Sequence, residues 1–398
     1  MAVRPGPAEI RQSLCLVCRS CHGGPQRRSS QIHSCLSAQR KTHLLLELTM
    51  SRDLTQILKT LGGEERPLRH QLLHNLSDLT EAELKQVEAA AASYSPQRRL
   101  KLIQALVQLA EDRVDYDFRP IFVWALDDAD PRIRTLAIEG LWEDEHTHLV
   151  NRYLQFLDDE DAMVRATAAM ALGRFIQLGE LGQIPFSYAD RAADALWNVY
   201  HTPRESVDVR RRALEGLSSS SRAGVRRVIE GARHDKNPSM RASAFYAMGR
   251  SADRRWIPYL LPELNEENPA LRLEVVRALG ELASKAAIDP LILMLDTEHD
   301  SEVRMAILEA LGQIGGDKAK EALQIAVESE DETEAAMADL ALEQLYAGIA
   351  DLQELIDEVM GITQDEEEED LSRIWDDFYD DPLEDDIRRL LDDLDVAF

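Results

Sequence analysis

Asn268-Pro269-Ala270-Leu271-Arg272-Leu273-Glu274-Val275-Val276-Arg277-Ala278-Leu279-Gly280 decides the fold, because the chain writes variants of it seven more times. A small polar residue opens the unit, Pro often follows, Arg stands four residues after the opener, and Ala-Leu-Gly or a near copy closes it. Anchored on that Arg, the copies fall at Arg99, Arg134, Arg165, Arg210, Arg241, Arg272 and Arg304, with Ala335 in the slot of the eighth. The steps are 35, 31, 45, 31, 31, 32 and 31 residues. A fixed period of this size is the mark of a stacked repeat array.

Each unit reads as a capped helix. The openers Ser95, Asp130, Asp161, Ser206, Asn237, Asn268, Asp300 and Asp331 can all accept from first-turn amides. Pro96, Pro131, Pro238 and Pro269 suit the first helical position, where a missing N–H costs nothing. Gly173, Gly249, Gly280 and Gly312 are expected to stop the helices. Counting 100° per residue from the Arg, positions −1, +3, +4 and +7 form one apolar stripe, Leu271, Val275, Val276 and Leu279 in one copy. The Arg lies inside that stripe, so its charge must be met. The expectation is a structural ladder along the stack, Arg134, Arg165, Arg210, Arg241, Arg272 and Arg304 bonding opener side chains such as Asp130, Asp161, Asn237, Asn268 and Asp300, or carbonyls of the neighbouring repeat.

Second apolar segments lie between these helices, among them Phe118–Leu126, Trp256–Leu264 and Ala287–Leu295. Two helices per unit with D-P-x-h-R opening the second resemble the HEAT repeat family, and the short Ala-Leu-Gly variant is similar to the HEAT-like repeats of phycobilisome lyases. The resemblance covers roughly residues 95–346. It implies an all-α, right-handed α-solenoid of HEAT-like helical pairs, about eight repeats over residues 95–350, and a protein whose work is binding.

Around that array, residues 50–94 read as an N-terminal helical cap, with Leu54, Ile57, Leu58 and Leu61 at helical spacing and a Thr80–Glu83 capping box. Residues 1–49 are basic, with seven Arg/Lys against two Glu, and hold all four cysteines. Cys15, Cys18, Cys21 and Cys35 are candidates for zinc or an iron–sulfur cluster, although their spacing fits neither framework. The other readings are a presequence and a translated leader upstream of a true start at Met50, the last preferred. Residues 351–398 are an acidic tail, twenty Asp/Glu against three Arg. In it Leu371, Ile374, Trp375 and Phe378, then Ile387, Leu390, Leu391 and Leu394, are spaced as two short amphipathic helices that either cap the array or dock into a partner.

The net charge of −28 disfavours nonspecific nucleic-acid binding, and no apolar run is long enough to span a bilayer. A cysteine-free body suits the cytoplasm. Enzyme chemistry is sparse: His146 and His148 read as solvated loop residues, the His-Glu pairs of the deoxyhypusine-hydroxylating HEAT enzymes do not occur, and neither a catalytic residue nor a cofactor is expected. The extra residues in the 45-residue step, around 178–188 and 201–206, are either binding loops or drift. Positions +1, +2 and +5 face away from the stripe, on the concave side in a HEAT stack. They give Glu139, Arg211, Arg212, Glu215, Tyr246, Glu274, Arg277 and Glu309, a mixed row suited to a protein or peptide. The expected function is a non-catalytic scaffold that binds a protein, basic in character, through this face or through Ile374, Trp375 and Phe378 in the tail. The alternatives are a phycobilin-lyase-like enzyme or subunit, and an acidic chaperone or nucleic-acid mimic.

Overall fold

The computed structural model describes residues 54–360 except Val114, and side chains as far as residue 347. The cysteines of residues 1–49 and the tail positions Ile374, Trp375 and Phe378 lie outside the described residues. The chain forms two compact units that divide at Asn75/Leu76, so the stretch read as one cap is shared between them. In the first unit α1 (Leu54–Leu61) buries Leu54, Leu58 and Leu61, and α2 (His70–Leu73) is a single turn.

In the second unit α3 (Glu81–Ala92) starts at a complete Thr80–Glu83 capping box. There follow α4 (Pro96–Asp112), α5 (Arg119–Ala125), α6 (Pro131–Gly140), α7 (His148–Phe156), α8 (Ala162–Glu180), α9 (Phe186–Tyr200), α10 (Val207–Gly216) and α11 (Val225–Ala232). Then come α12 (Pro238–Arg250), α13 (Ile257–Leu260), α14 (Pro269–Glu281), α15 (Ile288–Thr297), α16 (Ser301–Ile314), α17 (Asp317–Ala326) and α18 (Glu332–Met360). No strand occurs among the described residues. The eight helices that carry the repeated motif, α4 through α18 by even number, pack each against the next, and each intervening helix packs on the motif helix that follows it. This unit is an all-α solenoid of helical pairs.

The reason lies in the motif. All eight openers cap their helices: Asp161 Oδ1 accepts from the Met163 amide at 2.8 Å, Asn268 Oδ1 from Ala270 at 3.0 Å and Asp331 Oδ1 from Thr333 at 2.9 Å, and Ser95, Asp130, Ser206, Asn237 and Asp300 do likewise. The stripe is core, with Leu271, Val275, Val276 and Leu279 at most 1% exposed, each contributing roughly 1.5–3 kcal/mol by burial.

The closing glycines do not stop the helices. Gly173 lies inside α8, and Gly249, Gly280 and Gly312 lie inside α12, α14 and α16. They are points of close approach. A Cβ on Gly173 would come within 2.5 Å of the Gly216 Cα, and one on Gly249 within 2.7 Å of the Ala278 Cα. A side chain at either position would push successive motif helices apart.

The Arg ladder exists, and its acceptors are not the openers. Arg165 binds both carboxylate oxygens of Glu205 at 3.0 and 2.8 Å, and Arg272 those of Glu298 at 2.7 and 2.8 Å. Arg99 meets Asp128, Arg134 meets Asp159, Arg241 meets Glu266 and Arg304 meets Glu334. The second terminal nitrogen donates to carbonyls of the Arg's own preceding loop, as Arg272 Nη1 does to Glu266 and Glu267 at 2.8 and 3.0 Å. The oxygens of Asp130, Asp161, Asn237, Asn268 and Asp300 are committed to their own first-turn amides. The acceptors Asp128, Asp159, Glu205, Glu266 and Glu298 stand one or two residues before the next opener, and all but Glu266 also take that opener's amide, as Glu298 does from Asp300 at 2.9 Å; Glu334 instead lies three residues after Asp331. The four that take an opener's amide tie the start of one repeat to the guanidinium of the repeat before it. Arg210 is the exception: it donates to the Tyr200 carbonyl at 2.9 Å and lies over the Tyr200 ring. It stands at the 45-residue step, whose extra residues mostly lengthen α8 and α9, leaving Leu181 and Phe186 exposed at the turn between them.

Candidate functional site

The faces of α10, α12, α14 and α16 turned away from the stripe enclose a groove of about 500 Å³. Because one short motif builds all four helices, equivalent positions come into line along the stack. Ala242, Ala278, Ala306 and Ala310 lie among the lining residues, with Tyr246 and the charged side chains between them. Seven of the eight residues expected on this face line the groove: Arg211, Arg212, Glu215, Tyr246, Glu274, Arg277 and Glu309. Glu139 does not; it sits two motif helices earlier, on α6, where burial and the nearby Glu111 hold its carboxyl above the usual glutamate value. Ala242, Ser243, Glu281 and Gln313 were not anticipated. Glu281 follows the closing glycine, outside the positions counted, and the small residues carry no signal until the neighbouring helix is in place.

Two halves of the groove differ in electrostatics. At the α10–α12 end Arg212 donates to Glu215 at 2.6 Å, the Ser243 hydroxyl donates to the same carboxylate, and Arg211 Nε donates to Ser243 Oγ at 3.1 Å. Glu215 is thus a satisfied buried carboxylate, and Ser243 is 1% exposed and engaged. At the α14–α16 end the carboxylates are less well met. Arg277 donates to Glu274 at 3.3 Å, Arg250 stands 4.0 Å from Glu281, and Glu309 accepts from Gln313 at 3.4 Å. Burial holds the Glu274 and Glu281 carboxyls above the usual value, and the proximity of Glu215 to Glu274, and of Glu274 and Glu309 to Glu281, adds to it. Tyr246 stands between the halves, 39% exposed, its hydroxyl also raised by burial.

An aromatic platform between small residues, guanidiniums at one end and under-neutralised carboxylates at the other make a surface for a polar, extended ligand with a cationic group. The groove offers no exposed hydroxyl nucleophile beside a base, since Ser243 is enclosed. His146 is hydrogen-bonded to Asp144 and its ring faces His148 at 5.8 Å; among the described residues no three His, Cys, Asp or Glu are placed to hold a metal ion. No described helix is long and apolar enough to cross a membrane.

Residues 119–218 and 257–343 match the family model for HEAT repeats. These stretches are HEAT repeats. Outside the family model, the chain is 26% identical over 188 residues to the phycocyanin operon protein Z of Pseudanabaena tenuis, a match over 44% of this chain and 85% of that protein. Among solved structures, the complex of CpcE and CpcF of phycocyanin lyase from Nostoc is 20% identical with a TM-score of 0.42, over 62% of this chain and 90% of that one. The Escherichia coli protein YibA is 19% identical with a TM-score of 0.39, over 71% and 99%. Of the motif helices that line the groove, α10, α14 and α16 fall within the matched stretches and α12 lies between them.

Proposed function

We propose that this HEAT-repeat protein is a non-catalytic scaffold whose groove holds an extended segment of a protein partner carrying a basic side chain. The observation that carries the reading is the row of four Glu carboxylates along α10–α16 beside the exposed Tyr246, with Glu274 and Glu281 incompletely neutralised by the chain's own cations. A Lys or Arg laid between Glu274, Glu281 and Glu309 relieves their mutual repulsion, and Tyr246 supplies a flat contact of the kind that anchors peptide interfaces. A photo-crosslinking phenylalanine at position 246 of the full chain, irradiated in host lysate, should trap a discrete partner through a Lys- or Arg-containing peptide. Trapping only through acidic peptides, or no discrete product, would overturn the reading.

The likeness to phycocyanin operon protein Z favours a second reading, in which the ligand is a biliprotein or its chromophore. Incubation with bilin and an apo-biliprotein subunit separates the two: a coloured adduct formed only in the presence of this chain supports the second, and its absence leaves the first.

A further inference from the structure

Residues 191–255 carry thirteen Arg and one Lys against seven Asp/Glu, a net charge of +7. The other described residues, 54–190 and 256–360, sum to −27. Five of these Arg lie on the motif helices α10 and α12; outside those helices eight Arg and Lys236 stand against five Asp/Glu, a net charge of +4, and form a basic island in the layer of first helices and their turns, on α9, α11 and the 3₁₀ turn that precedes α13. Arg222 lies 5.1 Å over the Trp197 ring, Arg226 5.1 Å over Trp256 and Arg233 5.1 Å over Tyr259, a second ladder between neighbouring repeats. Gly224, with φ 96°, makes the first contact possible, because a Cβ there would come within 2.9 Å of the Trp197 ring. Stacking holds one face of each guanidinium; the edges of Arg222 and Arg233 already meet Asp194 and Glu263, whereas Arg226 has no ion-pair partner among the described residues and keeps its edge N–H groups for an incoming carboxylate. Arg191, Arg226, Arg227 and Arg255 are exposed, and Arg227 has no ion-pair partner among the described residues.

We infer that this surface is a docking site for an acidic segment, and that its occupant is the chain's own C-terminal stretch, residues 361–398. That stretch holds sixteen Asp/Glu against three Arg. A free polyanion approaching the island meets the repulsion of the −27 body around it. A tethered segment is already present at an effective concentration on the order of millimolar. Reach is ample. Its 38 residues span up to about 125 Å when extended, whereas α18 and α12 are three motif helices apart at about 10 Å each. On the island so acidic a segment finds opposite charge in excess.

The test is energy transfer within the full chain. Cys15, Cys18, Cys21 and Cys35 are replaced by Ser, and dyes are placed at Glu230→Cys on α11 and Ala397→Cys. Transfer should be high at low salt and fall by about half or more at roughly 0.5 M NaCl, where screening lengths shrink to a few ångströms. Arg226→Glu with Arg227→Glu should lower it to the same degree at low salt. Replacing Asp365–Asp370 by Lys should lower it in the wild-type background and restore it in the reversed one. That last variant keeps the test decisive if the double Arg replacement perturbs folding. Transfer indifferent to salt and to both reversals would overturn the inference. So would transfer between singly labelled copies, which makes a second molecule the occupant, or higher transfer from a dye at Gln313→Cys, which places the segment in the groove.

Discussion

The same motif helices carry opposite electrostatics on two faces. On the ladder side Arg165 and Arg272 each meet a carboxylate with two bonds, and those bonds hold Glu205 and Glu298 below the usual glutamate value. On the groove side, two and nine residues beyond Arg272 on the same helix, Glu274 and Glu281 are held above it. The ladder is self-sufficient, so its charges work within the fold. The groove is not, so its charges are available to something else. The contrast shows which of two Arg–Glu rows on one set of helices is structural, a distinction composition alone cannot make.

The largest effect should come from breaking the ladder. Arg272→Met leaves Glu298, whose side chain is 6% exposed, without its counter-ion, and should cost about 3 kcal/mol in urea unfolding. The loss should be seen first by amide exchange in α14 and α16, because repeats unfold through their neighbours. Next is Gly173→Ala, whose Cβ meets backbone rather than a movable side chain; it should cost about 2 kcal/mol. Asp300→Ala removes one cap and should cost about 1 kcal/mol. Smallest is Glu274→Gln in the groove, which should leave stability unchanged or raise it by a few tenths of a kcal/mol, since a strained charge is removed.

Acid titration sharpens the contrast. Glu205 and Glu298 titrate lower in the folded than in the unfolded chain, so their contribution is full above the ordinary glutamate value and is lost as pH falls through the folded one. Glu274 and Glu281 titrate higher when folded, so they favour the fold below the ordinary value and lose that advantage as pH rises through the raised one. Glu298→Gln should therefore flatten the stability loss on the acid side, and Glu281→Gln the decline above the ordinary value.

Much of this was legible in the sequence for a physical reason. Period, caps and stripe are local properties, and eight copies repeat the same statement. The angular count from Arg272 placed Glu274 and Arg277 on the groove before any neighbour was known. What failed were inferences about what one repeat does to the next. Gly173 and Gly249 read as helix stops because a lone glycine looks like one, whereas the helix crossing against them is a tertiary fact. Four of the ladder acceptors were visible as an acidic column two residues before the openers, Asp128, Asp159, Glu266 and Glu298. They were passed over because the openers offered a nearer carboxylate, one already used by the cap. The Arg–aromatic stacking on the outer helices joins residues 25 to 30 apart at no fixed motif position, and had no signal to read.

The division of the two faces is most directly tested by Arg272→Met and Arg277→Glu, five residues apart on α14, made separately in the full chain. For each, the thermal midpoint and the yield of the partner trapped at position 246 are measured. The account predicts that Arg272→Met lowers the midpoint by several degrees and leaves trapping intact below it. It predicts that Arg277→Glu, which adds a carboxylate beside Glu274, lowers the midpoint by clearly less than Arg272→Met does and changes trapping severalfold. Equal loss of stability in the two variants, or trapping indifferent to Arg277→Glu, would contradict it.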